Sequence, residues 1–345
     1  MSRILIVRLG ALGDLVHAFP VAAALGRALP QARLDWLVDA KHRAVVDLVP
    51  GVTEVVEWRS PGLFGPAGVV AVVRRLRRAE YDVVLDLQGL LKSAVLARLS
   101  GARRVIGFGP AHLRERAARG FYTETVDPGQ VAHVVEKNLS MLRALNVHVM
   151  EPRFPLVAVP SAAADDVVRL MVEAHPGDPP GFAAINAGAA WPNKRWPPER
   201  FGGVARAIRA EFHWPSCVLW GPGERAMGEA VVAASDGAAV LAPPTTVADI
   251  VAIARHARVV VSGDTGPMHL AAAAGAPVVG VFGPTSPTRN GPWGVRAAAQ
   301  VSRFKVCECQ YERRCSAARR CLDDITVDEV ISAIKAALAD EGAHA

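Results

Sequence analysis

The chain has 345 residues, 51% of them hydrophobic and 21% charged, so it can bury a large core, and its length favours two domains over one. No stretch reaches the roughly 18 uninterrupted apolar residues of a membrane span, and Arg8, Asp14 and His17 speak against a secretory leader in "MSRILIVRLGALGDLVHAFP", so a cytoplasmic location is expected. The net charge of +6 calls for an anionic partner, yet the aromatic residues are few and not interleaved with the arginines, which argues against nucleic acid.

The first half alternates apolar runs, the predicted strands 4–8, 34–38, 52–58, 83–87 and 105–108, with helical patterns at 15–28, 69–80, 92–99 and 133–145. After the first strand, Gly10 and Gly13 flank a turn and Asp14 begins the next helix. The spacing is not G-x-G-x-x-G, so a dinucleotide fingerprint is not supported, nor is the NAD-dependent oxidoreductase it would signal. Asp14 has two readings at this position, a first-turn carboxylate matched to the helix dipole or a general base at the strand-end edge of the sheet. The positive charge gathers in "RRLRR" (74–78) and in the segment holding Arg103, Arg104, Arg114, Arg116 and Arg119. Both clusters suit an anionic ligand, and both equally suit a solvated face.

"MEPRFPLVAVPSAAADD" and "EAHPGDPPG" are rich in Pro, Gly and Ala, which places a linker around residues 150–180. The second half then repeats the grammar, with strands expected in 182–189, 215–221, 238–243, 258–263 and 277–283 and helices at 198–212, 224–234, 247–256 and 267–274. Short, fully apolar strands separated by helices indicate parallel sheets covered on both faces, so each half reads as a doubly wound α/β domain. Facing Rossmann-like domains would leave a cleft at the carboxyl ends of their strands.

Three turns of the second half combine small residues with polar ones. "INAGAAWPNKRWPPERF" offers Gly188, Ala189 and Ala190, whose backbone a ligand can approach closely, followed by Lys194. "LWGPGERAMGEA" places Glu224 where it would accept hydrogen bonds from ribose hydroxyls or satisfy its own helix. In "SGDTGPMHLAAAAGAPVVGVFGPTSPTR", Asp264, Thr265 and Gly266 open a helix whose first N–H groups suit a phosphate, with His269 one turn on. The alternative is that Asp264 or Thr265 only caps that helix. Together the turns provide the parts of a site for a nucleotide diphosphate.

The tail carries "CECQYERRCSAARRC", with Cys307, Cys309, Cys315 and Cys321 in C-x-C-x5-C-x5-C spacing, which is not a standard zinc pattern. Reduced thiols, a disulfide and a metal site all remain open for them. A capping box from Thr326 to Glu329 starts a last helix, 326–345, which has no strand after it and is expected to pack back across the first domain.

"ILIVRLGALGDLVHAFPVAAAL", "HVVEKNLSMLRAL", "NAGAAWPNKRWPPERF" and the Asp264-Thr265-Gly266 segment, in that order over nearly the whole chain, resemble the ADP-heptose:lipopolysaccharide heptosyltransferases, glycosyltransferase family 9. The resemblance implies a GT-B-like fold with an acceptor domain at 1–160 and a nucleotide-sugar donor domain at 181–325. It implies inverting transfer of heptose from ADP-L-glycero-D-manno-heptose to the inner core of lipopolysaccharide, by a cytoplasmic enzyme peripheral to the inner membrane. Asp14 then matches the proposed general base. Gly13, Gly188, Ala189, Ala190, Lys194, Glu224, Thr245, Asp264, Thr265, Gly266 and His269 form the donor set. Arg103, Arg104, Arg114, Arg116 and Arg119 would meet a lipid-linked phosphorylated acceptor at the inner-leaflet surface. No cofactor and no metal is called for, because Lys194 and the helix dipole supply the positive charge. Two alternatives are transfer of another sugar from a nucleotide donor and a non-catalytic protein that binds anionic lipid.

Overall fold

The computed structural model describes residues 2–59, 61–174, 181–293 and 298–342, and the chain divides into two compact units, Met1–Val157 and Ala158–Ala345. Unit one holds β1 (Arg3–Val7), β2 (Arg33–Asp39), β3 (Glu54–Trp58), β4 (Val83–Asp86), β5 (Arg104–Phe108) and β6 (Glu124–Val126). They form one parallel sheet in the order β3-β2-β1-β4-β5-β6. Unit two holds β7 (Ala183–Asn186), β8 (Ser216–Leu219), β9 (Ala239–Leu241), β10 (Val259–Gly263), β11 (Val278–Phe282) and β12 (Ala298–Ser302), also all parallel, in the order β12-β11-β10-β7-β8-β9. Counted from its own first strand, each sheet has the order 3-2-1-4-5-6. That is the doubly wound Rossmann arrangement, whose ligands bind where the strand order reverses. Both halves are therefore α/β and Rossmann-like, as a GT-B-like fold requires.

The apolar runs behave as strands because they are buried on both faces. In β10, Val259 and Val261 join Phe201, Val204, Ile208, Val330 and Ile334 in one core, while Val260 points the other way to Val167, Ile253 and Met268. Period-two alternation thus feeds two helix layers from one continuous valine run.

Four features depart from the expectations. The helix foreseen at 15–28 is two helices, Leu12–Val16 and Phe19–Ala28, separated at His17 and Ala18. The foreseen linker contains the helix Ala162–Ala174, whose Ala164, Val167 and Met171 are buried against the β7–β8 side of the second sheet. Ser161 starts it by accepting the Ala164 N–H at 3.0 Å. The remainder of that linker, 175–180, lies outside the described residues. The last helix, Val327–Gly342, is capped as expected, with Thr326 N–H to Glu329 at 2.8 Å and Glu329 N–H to Thr326 Oγ1 at 3.2 Å. It does not need the first domain for cover, because Val330, Ile331 and Ile334 bury themselves in the core of unit two. Finally, β6 and β12 complete the two sheets although neither was foreseen; as edge strands they lack the long apolar run that marks the central ones. Among the described residues no helix is long and apolar enough to cross a membrane.

Candidate active site

In unit two the strand order reverses between β7 and β10, neighbours paired through Asn186 and Ser262. The loops leaving these two strands are the ones that carry Lys194 and Asp264. Lys194 Nζ lies 2.5 Å from Asp264 Oδ2, with the side chains only 15% and 5% exposed. Thr285 Oγ1 donates to the same oxygen at 2.5 Å, and His269 Nε2 stands 3.7 Å from Oδ1. Burial works against ionisation of Asp264, but His269 and Lys194 prevail and hold its carboxyl well below the usual carboxylate range. The result is a fixed carboxylate with a lysine drawn onto it. The ammonium is further confined by the Trp191 ring, 4.7 Å away.

Thr265 occupies the N-cap of the helix Gly266–Ala273 but makes no hydrogen bond to it. Its hydroxyl instead accepts from Asn186 Nδ2 at 3.1 Å and lies 3.3 Å from Ser262 Oγ. The helix therefore starts without a side-chain cap, and the simple capping role for Asp264 or Thr265 is set aside. Its first N–H groups stay available at the positive end of the dipole.

Glu224 joins the third loop to the first. Its Oε2 accepts the Gly221 N–H at 3.2 Å, and a Cβ added at Gly188 would lie 2.0 Å from that oxygen. Gly188 is glycine because the carboxylate rests on its Cα. Ala189 is buried with its carbonyl accepting from Arg195 at 2.7 Å, Ala190 is exposed, and Thr245 is half-exposed just ahead of Thr246, the residue that caps the next helix.

In unit one, Asp14 lies in the short helix Leu12–Val16 beside Gly13, with Oδ1 2.8 Å from the buried Arg8 guanidinium and Oδ2 accepting the Ala11 N–H at 3.2 Å. An ionised carboxylate has roughly four acceptor positions, so these contacts orient Asp14 without exhausting it, and its side chain remains 39% exposed. Arg8 also donates to the Leu87 carbonyl, tying the turn after β1 to the end of β4, across the strand-order reversal of this sheet.

The five arginines are spread over several elements. Arg103 and Arg104 sit at the start of β5, and Arg114, Arg116 and Arg119 follow it in the segment that returns to the start of the parallel β6, where Thr123 N–H donates to the Val105 carbonyl. Arg104 is in addition taken by Glu124, with contacts of 2.7 and 2.8 Å, and by the Ala144 carbonyl. Arg114, Arg116 and Arg119 are exposed.

Asn186, Ser262, Thr285 and Trp191 were not singled out from the sequence. Thr285 had a signal, since it sits in the "GPTSPTR" turn after β11, but only the fold shows that β11 neighbours β10.

A pair of Rossmann-like sheets with this phosphate-ready turn defines a class of nucleotide-sugar enzymes, and residues 69–319 match glycosyltransferase family 9 (heptosyltransferase), to which the chain belongs. It is similar to lipopolysaccharide heptosyltransferase 1 of Pseudomonas aeruginosa, 31% identical over 319 residues covering 89% of this chain and 86% of the relative. Its fold is shared by a glycosyltransferase family 9 structure from Veillonella parvula (TM-score 0.79, 21% identity, 98% and 97% of the two chains). The Escherichia coli heptosyltransferase WaaC with ADP shares it too (TM-score 0.76, 23% identity, 97% and 99%).

Proposed function

We propose that this glycosyltransferase moves heptose from ADP-L-glycero-D-manno-heptose to the inner core of lipopolysaccharide, with inversion, from the cytoplasmic side of the inner membrane. The observation that carries the donor reading is the Lys194–Asp264 pair beside the uncapped start of the helix Gly266–Ala273. The likeness to a heptosyltransferase 1 supports heptose as the sugar. Asp14 takes the proton of the attacking acceptor hydroxyl. Negative charge then develops on the departing diphosphate, where Lys194 and the N–H groups from Gly266 onward stabilise it. Asp264, held by Thr285 and Lys194, faces the transferred sugar, and Glu224 reads the ribose hydroxyls. Mass spectrometry of ADP-heptose incubated with progressively truncated core acceptors tests this reading. A product of one added heptose supports it, and transfer only from another nucleotide sugar, or from none, overturns it.

Two substitutions probe the binding assignments. Gly188→Ala pushes on the far end of the Glu224 side chain, which can swing aside, so the fold survives and the ribose contact is lost. ADP affinity measured by calorimetry should fall about 10–100-fold, the value of hydrogen bonds to a charged group, with the melting temperature nearly unchanged. Wild-type affinity would remove Glu224 from the donor site.

Arg114 and Arg116, exposed beyond β5, are assigned to the phosphorylated, lipid-linked acceptor. Replacing both by Ala should raise the acceptor KM roughly three- to thirtyfold, as the loss of exposed ion pairs allows, and leave ADP binding alone. The effect should grow at low salt, where screening is weak. Acceptor kinetics equal to wild type at all ionic strengths would mark these side chains as a solvated face.

A further inference from the structure

The cysteine segment remains outside the chemistry just described, but its contacts lead back to it. Cys309 and Cys315 bring their sulfurs within 3.4 Å of each other. Between them lie Tyr311, Glu312 and Arg313, and each of the three touches a loop of the donor site. Tyr311 N–H donates to the Pro284 carbonyl at 2.7 Å, next to the Thr285 that grips Asp264. The Glu312 carbonyl accepts Asn193 Nδ2 at 2.7 Å, beside Lys194. The Arg313 guanidinium lies 5.7 Å from the centre of the Trp191 ring that also confines the Lys194 ammonium. The two sulfurs thus stand at the neck of a small loop whose residues 311–313 rest on the Lys194 turn and on the Thr285 turn.

We propose that Cys309 and Cys315 are a reversible thiol–disulfide modification site, and that closing it fixes the loop holding Lys194. Among the described residues no group of three or more His, Cys, Asp or Glu side chains is placed to hold a metal ion. The two sulfurs are unequal. Cys309 is buried, its sulfur accepting the Ser316 N–H at 3.2 Å, while Cys315 is partly exposed. Hydrogen bonds from Ser316 lower the Cys309 thiol from its usual value and favour the nucleophilic thiolate. Contact with Cys309 raises the Cys315 thiol, but Cys315 is the accessible one, so with a small-molecule disulfide as oxidant it gives up its proton and attacks one of the disulfide sulfurs, forming a mixed disulfide and expelling one thiolate. The Cys309 thiolate then attacks the Cys315 sulfur, the protein S–S bond forms, and the second small thiolate leaves. The two protein sulfurs are each oxidised by one electron, the small disulfide is reduced to two thiols, and these take up the two protons.

The test uses the full chain, reduced with a phosphine or equilibrated with glutathione disulfide. Peptide mapping of the oxidised protein should find a Cys309–Cys315 link that thiol reverses. Hydrogen exchange in residues 191–194 should slow on oxidation, and ADP should bind roughly two- to tenfold tighter, as preorganising a loop allows. Cys309→Ser and Cys315→Ser should each abolish all three changes. Linkage of other cysteines, one metal ion bound per chain through the thiols, or a Cys309–Cys315 link that leaves exchange in 191–194 unchanged would overturn the proposal. The affinity change rests on the donor reading above. Failure of ADP to bind either form would sink that reading, while mapping and exchange still decide the thiol site.

Discussion

Asp14→Asn is expected to lower turnover by roughly 10²–10⁴-fold, the loss that follows removal of a general base, with ADP affinity nearly unchanged. Asparagine is the informative replacement because it keeps the shape of the side chain and its one carbonyl oxygen still accepts from Arg8, while the contact of Oδ2 with the Ala11 N–H is given up. Asp14→Ala should slow turnover as much and destabilise unit one further, because it takes from the Arg8 guanidinium, only 8% exposed, the acceptor as well as the counter-charge. A turnover loss common to both variants, with the larger stability loss in the Ala variant, thus marks the chemical role. If the Asn variant turns over within about tenfold of wild type at saturating substrates, short of the range for a lost base, Asp14 only matches its helix and Arg8. The base must then be sought elsewhere.

Much of this fold is written locally. The valine run of β10 alternates between two helix layers, and the repeated strand–helix grammar gives two α/β halves without any long-range information. The capping box at Thr326 was likewise visible, because its partners are three residues apart. The helix Ala162–Ala174 had its own signal in Ala164, Val167 and Met171 at helical spacing, but the neighbouring prolines and alanines read as linker. The site is different in kind. Lys194 and Asp264 are far apart in the chain, and they meet because β7 and β10 are neighbours at the reversal of strand order. No periodicity encodes that neighbourhood.

The Lys194–Asp264 pair yields the second large effect, because the lysine serves both the diphosphate and a buried carboxylate. Lys194→Ala should weaken ADP-sugar binding and cut turnover by about 10²–10³, as loss of a preorganised positive group in a reacting site does. Lys194→Arg should recover only part, since a planar fork does not replace a compact ammonium above the Trp191 ring. The alanine variant should also lose stability, about 3 kcal/mol, the lower end for breaking a buried pair, because Thr285 and His269 still hold Asp264. The pH dependence carries a defined sign. The Asp264 carboxyl is depressed in the folded protein, so its stabilisation is fully present above the unfolded carboxyl value of about 4 and is lost as pH falls toward the folded one. Without Lys194 that depression shrinks. Denaturant titrations of wild type and Lys194→Ala should therefore differ most near neutrality and converge in acid. A stability gap that is the same at pH 7 and pH 3, together with unchanged kinetics, would mean that Lys194 neither compensates Asp264 nor meets the diphosphate.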